Sequence, residues 1–332
     1  MIGYYIHHQG SGHLARAQSI CARMDAPVTA LSSLPIAQSS FDSVVRLPSD
    51  DDLAAEPVDP TASGILHWVP LGDSGLRERM AAVARWIDRE NPAAVVVDVS
   101  VEIALLARLH GVPVIAMVLP GQRIDTPHRL VHRVADALIA AWPREVYDPV
   151  WLREYRGKTH YVGGISRFAD RPKAPRRSET DRPTVLVLAG GGGSDFTSAA
   201  VEDCADRHRR YRWRTAGVTD WIDDPWPLMC EADVIVSHAG QGAVADIAAA
   251  AKPAVLVPAA RPFGEQHATA TALAEAGMAV IAEHLPALDE WPALLDRARH
   301  LDHDQWLRWR VDGATTRAAA VIADAAGKRR AA

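Results

Sequence analysis

The residues best equipped for chemistry in this chain sit where short apolar runs give way to glycine. YYIHHQGSGHLARAQSI reads as strand, glycine loop and helix, with His13 at the helix start. The positive end of a helix disfavours imidazolium, leaving a neutral ring able to accept a proton. Asp98 closes the apolar run AAVVVD and therefore projects beyond a strand end, toward the same side. A neutral histidine held by a carboxylate is the orienting pair that general-base catalysis needs. Asp98 has an equal claim as N-cap of a helix beginning near Val101, and His13 as a capping or packing residue.

A second set lies in the other half. HAGQGAVAD follows the apolar run ADVIVS, so His238, Gly240, Gln241, Gly242 and Ala243 fall where a buried strand hands over to a helix. The free N–H groups there suit a phosphate, the glycines let a ligand approach the backbone, and Asp246 can accept hydrogen bonds from vicinal hydroxyls. A plain glycine turn with a dipole-stabilised aspartate explains the same stretch. AGGGGSDF, with Gly191, Gly192 and Ser194, lacks the GK[ST] of a phosphate-binding P-loop and a clean GxGxxG, and alone reads equally as a turn. Glu265 and Gln266 open a later helix and can hydrogen-bond sugar hydroxyls. GQRIDTPH supplies Arg123, Asp125 and His128, which with Glu102 form either an acceptor-binding cluster or an ordinary polar loop.

Other polar clusters argue for less. Asp50-Asp51-Asp52 has the DxD form of a metal site but sits in LPSDDDLAAEP, where a solvated charge run is the expectation. His7 and His8 are expected on opposite faces of a strand end, a poor metal pair. With no HExxH or Cys/His spacing, no metal ligand is assigned, and with no GxSxG, serine hydrolase chemistry has no support.

The elements that must position these residues alternate. IGYYI, AAVVVDVS, PVIAMVL, TVLVLAG, DVIVSH, PAVLVP and MAVI read as strands between helical stretches, giving an α/β chain of two doubly wound, Rossmann-like parallel-sheet domains facing across a cleft. ADRPKAPRRSETDRP separates them. The expected division is 1–163 for an acceptor-binding domain, 164–183 for a linker, 184–310 for a donor-binding domain, and 311–332 for a C-terminal helix returning to the first domain, with a frayed tail. Residues 304–326 read as one helix.

Taken together, HAGQG with Asp246, then KPAVLVP, then EQ, resembles the donor half of GT-B glycosyltransferases of the family-28 type, which includes the peptidoglycan N-acetylglucosaminyltransferase. The resemblance is carried by residues 184–282. It implies that Gln241, Gly242 and Ala243 meet a nucleotide diphosphate, that Asp246 stands at a ribose-binding glutamate, and that Gln266 binds the sugar. It further implies that Ile222 lies where the backbone reads uracil, that Gly191, Gly192 and Ser194 close on the diphosphate, and that Arg167 in VGGISRF partners a phosphate. Asp246 is one methylene shorter than the usual glutamate, and Lys252 replaces a glycine. GSGH is similar to the GxGH loop of many GT-B enzymes, setting Gly12 against the donor and His13 as base. The activity implied is inverting, metal-independent transfer from a nucleotide-sugar co-substrate, a UDP-sugar, to an acceptor hydroxyl, with no cofactor. A nucleotide-sugar hydrolase on the same fold and a non-catalytic nucleotide-sugar-binding protein are the alternatives.

Composition narrows the partners. A net charge of −5 gives no reason to expect nucleic acid, and no apolar run approaches the ~20 residues a membrane helix needs. Cys21, Cys204 and Cys230 are isolated, as expected in a reducing cytoplasm. The acceptor, whether lipid-linked, saccharide or natural product, stays open, and GILHWVPL is a patch for peripheral membrane contact if it is not core.

Overall fold

A computed structural model describes residues 1–9, 11–37, 40–50, 56–173, 182–190 and 193–331. The first domain alternates β1 (Ile2–Ile6), α1 (Ser11–Cys21), β2 (Val28–Ser32), β3 (Ser43–Arg46), α2 (Ser74–Glu90), β4 (Ala94–Asp98), α3 (Val101–Leu109), β5 (Val114–Val118), α4 (Thr126–Val134), β6 (Ala137–Ala140) and β7 (Thr159–Tyr161). Its sheet is parallel, ordered β3-β2-β1-β4-β5-β6-β7. Every residue of β1, β2, β4 and β5 is buried, as helices covering both faces of a parallel sheet require.

The second domain follows with β8 (Thr184–Leu188), α5 (Ser198–Arg207), β9 (Arg212–Ala216), α6 (Trp226–Glu231), β10 (Val234–Ser237), α7 (Gln241–Ala250), β11 (Ala254–Leu256), α8 (Glu265–Glu275), β12 (Val280–Ile281) and α9 (Trp291–Arg299). Its parallel sheet runs β12-β11-β10-β8-β9. The seven strands legible in the sequence are joined by β2, β3, β6, β7 and β9. Of these, β3 is short and half-buried, and β9 (RWRTA) alternates arginines with packed residues at a sheet edge, so neither shows a continuous apolar run.

The strand orders locate the site. In the first sheet the chain steps from β1 outward through β2 and β3, then returns to add β4 on the other side of β1. The crevice between β1 and β4 is therefore a topological switch point, where ligands bind beyond the carboxyl strand ends. Ile6 pairs with Asp98 there. In the second sheet the switch falls between β8 and β10, where Leu188 pairs with Ser237, and both glycine loops emerge from it.

The expected single helix over 304–326 is two pieces. A 3₁₀ stretch (His303–Trp309) ends at left-handed Arg310 (φ 55°), and α10 (Ala314–Ala331) starts after Gly313 (φ 71°). The break lets the chain recross: Ala318 and Ile322 of α10 are fully buried in the core formed by Ile2, Tyr4 and Ile139 of the first domain. The two crossings touch, since the Gly164 N–H donates to the Trp309 carbonyl at 2.9 Å.

Candidate active site

The cleft between the sheets encloses a cavity of about 840 Å³. His13 reaches it from the first turn of α1, and its Nδ1 lies 2.9 Å from Oδ1 of Asp98, which is 0% exposed. Asp98 does not cap α3. Ser100 does so, accepting from the Ile103 N–H at 3.2 Å, because a carboxylate two residues earlier is still on the strand.

Arg16, unforeseen in the sequence, completes the group. It donates to Asp98 through Nε at 3.1 Å and Nη2 at 2.6 Å, and through Nη1 to Gln241 Oε1 at 2.9 Å across the cleft. Burial alone would raise the Asp98 pKa. The Arg16 charge, joined by His13, outweighs it and holds the carboxyl well below the usual range. Asp98, an obligatory acceptor at 2.9 Å, draws the His13 proton to Nδ1, while Arg16 Nη2, 3.1 Å from the same nitrogen, favours an unprotonated Nδ1. The Nδ1–H tautomer is the one that leaves Nε2 to a substrate. Arg16 is three residues from His13, on one helix face, and that spacing was the readable signal.

The cavity is also lined by Gly12, His128 and Arg123 of the first domain, by Arg167 of the crossing, and by Ile222, His238, Gly240, Gln241, Gly242, Ala243, Asp246, Glu265 and Gln266 of the second. Gly240 is the N-cap of α7, with no side chain closing the helix mouth. His238 is oriented by its neighbours: Nδ1 donates to the Val257 carbonyl at 2.7 Å, so Nε2 accepts from Ser194 Oγ at 2.9 Å. Ser194 thus acts through His238 and does not line the cavity, while Gly191 and Gly192 lie outside the described residues. The Gln266 carbonyl accepts from the Ala239 and Ala259 N–H groups at 3.1 and 2.9 Å, leaving its amide for a ligand. Asp246 accepts from Ser166 Oγ at 2.6 Å, and burial pushes its carboxyl up to about 6 against the opposing pull of Ser166 and Arg167.

The polar loop of the first domain meets the second domain directly. Arg123 Nη2 donates to Glu265 Oε2 at 2.8 Å, its guanidinium lies 4.4 Å over the Phe263 ring, and the Gln122 N–H donates to the Phe263 carbonyl at 2.9 Å. Gly121 makes this approach workable: φ is +92°, and a Cβ there would stand 2.3 Å from that carbonyl. Asp125 does not reach the cavity. It accepts from His67 Nε2 at 3.1 Å and from His128 Nδ1. Burial lowers the His128 pKa to about 4 despite Asp125.

His67, Asp125 and His128 lie close enough together to share a cation, a cluster that the sequence did not foreshadow because His67 sits in an irregular loop. Arg123 Nη1 stands 3.3 Å from His128 Nε2, which makes Nε2 the acceptor and keeps the proton on Nδ1, facing Asp125. With that proton in place and a guanidinium adjacent, the cluster is a hydrogen-bond chain from Arg123 to His67.

Three further expectations are corrected. Glu102 does not line the cavity; its carboxylate accepts from the His67 and Trp68 N–H groups at 2.9 and 3.1 Å and so holds the loop that presents His67. Asp50 is not a solvated charge, because it pairs at 2.8 Å with Arg79, itself 1% exposed; Asp51 and Asp52 lie outside the described residues. His7 and His8 do not diverge, because β1 ends at Ile6 and strand alternation with it; their rings stack at 4.8 Å. His7 lines the cavity, and burial, then His13 and His8, lowers its pKa to about 4.

Residues 179–287 match the model of the glycosyltransferase family 28 C-terminal domain, covering β8 through β12 and both glycine loops of the second domain. Over those residues the second domain is similar to family-28 glycosyltransferases. A Pectobacterium carotovorum relative is 32% identical over 154 residues, which cover 45% of this chain and 40% of that protein. Its name couples UDP-N-acetylglucosamine to N-acetylmuramyl-(pentapeptide) pyrophosphoryl-undecaprenol in an N-acetylglucosamine transferase. The chain spans about half the length of the curated relatives it matches. Solved structures match throughout: the kitacinnamycin glycosyltransferase at 15% identity, 98% of each chain and a TM-score of 0.69, and Acinetobacter baumannii MurG at 16% identity, 97% of this chain, 99% of that one and 0.65. At that identity they show the fold, which is GT-B. Within the matched domain, α7 and its glycine mouth face His13. Among the described residues, no helix is long and apolar enough to cross a membrane.

Proposed function

We propose that this chain is an inverting glycosyltransferase that moves a sugar from a nucleotide sugar, a UDP-sugar, to an acceptor hydroxyl. The observation that carries the reading is the His13–Asp98 pair standing across one cavity from the bare N-terminus of α7. Residues 184–310 hold the donor, with its diphosphate at Gln241, Gly242 and Ala243; residues 1–163 hold the acceptor, beside Arg123 and His128. His13 Nε2 takes the acceptor proton as that oxygen attacks the anomeric carbon, and the bond from that carbon to the diphosphate breaks. The proton stays on the imidazole, whose positive charge Asp98 stabilises, and the nucleoside diphosphate leaves with the bonding pair. Charge on the departing diphosphate is met by the α7 N–H groups and dipole, a role that needs no metal. Three unpaired cysteines fit work in a reducing cytoplasm.

The test is His13→Ala. Removing a general base costs about 10²–10⁴-fold in rate. UDP affinity, read by calorimetry, is expected to stay unchanged because the base does not touch the nucleotide. Full transfer activity in the variant removes His13 from the mechanism. UDP released equally fast with and without acceptor replaces transfer by hydrolysis.

A further inference from the structure

His7 lines the cavity beside His13, and the transfer scheme leaves it without a task. Its ring is held in one orientation and one protonation form. The Gln9 backbone N–H donates to Nδ1 at 3.1 Å, a bond that a protonated Nδ1 could not accept. The ring stacks at 4.8 Å on His8, whose Nδ1 lies 4.0 Å from Asp50, and Asp50 pairs with buried Arg79. Burial, then His13 and His8, keeps the His7 imidazole neutral. A neutral ring carries one proton, and with Nδ1 accepting, that proton is on Nε2. Capping the Gln9 N–H occupies Nδ1 alone; among the described residues Nε2 makes no hydrogen bond.

The cleft therefore holds two imidazoles of opposite character. His13, as base, offers a lone pair and His7 an N–H; their ring centres are 5.8 Å apart and their planes are tilted by 55°. Hydrogen bonds of about 2.9 Å from rings this close reach oxygens on neighbouring carbons of one molecule. The two rings do not share the reacting oxygen, because an N–H donated to it would tie up the lone pair it needs for attack. A charged His7 would also repel the positive charge that His13 gains during transfer, which the neutral ring avoids.

We infer that His7 is a specificity-determining residue for the acceptor: its Nε2–H donates to a second oxygen, on the carbon next to the reacting hydroxyl. The acceptor then belongs to the class that carries such an oxygen, a vicinal diol or an α-hydroxycarbonyl. The inference rests on His13 as base in the proposed transfer and narrows the acceptor that transfer serves. Making or losing one neutral hydrogen bond of this kind changes relative rates by about three- to tenfold.

The experiment follows UDP release from UDP-glucose by the full chain, with trans-1,2-cyclohexanediol or cyclohexanol as the acceptor probe. It is repeated with His7→Gln, which sets an amide N–H near the place of Nε2–H, and with His7→Phe, which keeps only the ring shape. A wild type and a Gln variant at least about threefold faster per hydroxyl on the diol, with no preference in the Phe variant, support the inference. Equal rates per hydroxyl in the wild type, or a preference that His7→Phe retains, overturn it. If neither alcohol is turned over, or the Phe variant does not fold, nitrogen-15 NMR of the UDP-saturated wild type decides. A His7 Nε2–H resonance displaced by the diol and not by cyclohexanol supports the inference. An Nδ1–H or doubly protonated ring, or a resonance that both alcohols or neither displace, overturns it. A chain that binds no UDP loses the transfer reading itself, and the inference falls with it.

Discussion

Arg16 and Asp98 offer the sharpest test of how the candidate site is built. Asp98 is 0% and Arg16 8% exposed, and among the described residues the Asp98 carboxylate has two side-chain partners, Arg16 and His13. Arg16→Met leaves a buried carboxylate facing only an imidazole, and Asp98→Leu leaves a buried guanidinium facing Gln241 and the His13 ring. Breaking one side of a buried ion pair costs about 3–5 kcal/mol, whereas replacing both charges by apolar groups is close to neutral. The two losses must therefore fail to add: the double variant should be more stable than either single one, with an interaction free energy of at least about 3 kcal/mol. The measurement is urea unfolding at neutral pH, read by hydrogen exchange in β1 and β4 so that the first domain is followed alone. The sign with pH is also fixed. Because Asp98 titrates lower in the folded state than in the unfolded chain, its stabilisation is present above about pH 3.9 and is lost as pH falls toward the folded value. Single variants each costing under about 1 kcal/mol, or losses that simply add, refute the view that this trio is one buried charge unit.

Two further outcomes follow from features around the cleft. Gly121→Ala places a methyl against the Phe263 carbonyl at a φ of +92°, so the loop must withdraw from the second domain. UDP binding should persist while transfer falls roughly 100-fold through misplacement, and the radius of gyration by X-ray scattering should increase; unchanged transfer excludes a closing role for this contact. Asp246→Asn removes a group whose folded pKa, about 6, lies above its unfolded value. Stability from such a group is full below about pH 3.9 and lost as pH rises through 6, so the variant should gain about 2 kcal/mol on the wild type between about pH 4.5 and about pH 7.5; a pH-independent difference contradicts a buried, strained carboxylate.

Much of this architecture was legible because parallel strands buried on both faces leave continuous apolar runs, and the residues just beyond them are the ones a switch point exposes. That rule points to His13, Asp98, Gly240, Gln241 and Asp246, and the fold brings them to one cleft. What the sequence hid were contacts made across long separations. Arg16 looks like any helix arginine until β4 and α7 are brought to it, and His67 lies in a loop whose shape is set by Glu102, 35 residues later. Asp246 was visible as a carboxylate, but its engagement depends on Ser166, 80 residues earlier. Asp50 shows the same limit: a run of acidic residues looks solvated unless the buried partner, Arg79, is known.

The return of α10 has a consequence for how the chain is made. Ala318 and Ile322 complete a core that begins with Ile2 and Tyr4 and is only partly covered by Ala17 and Ile20 of α1, so part of one face of the first sheet stays bare until the whole second domain has been synthesised. The first domain cannot finish folding during its own translation, and its apolar face needs shelter for the time it takes to add well over a hundred residues, about ten seconds or more at ribosomal speed. The second domain, continuous in sequence, carries no such delay and can reach its native core first. It then serves as the platform on which the first domain closes, with the Gly164–Trp309 contact where the outgoing and returning segments meet.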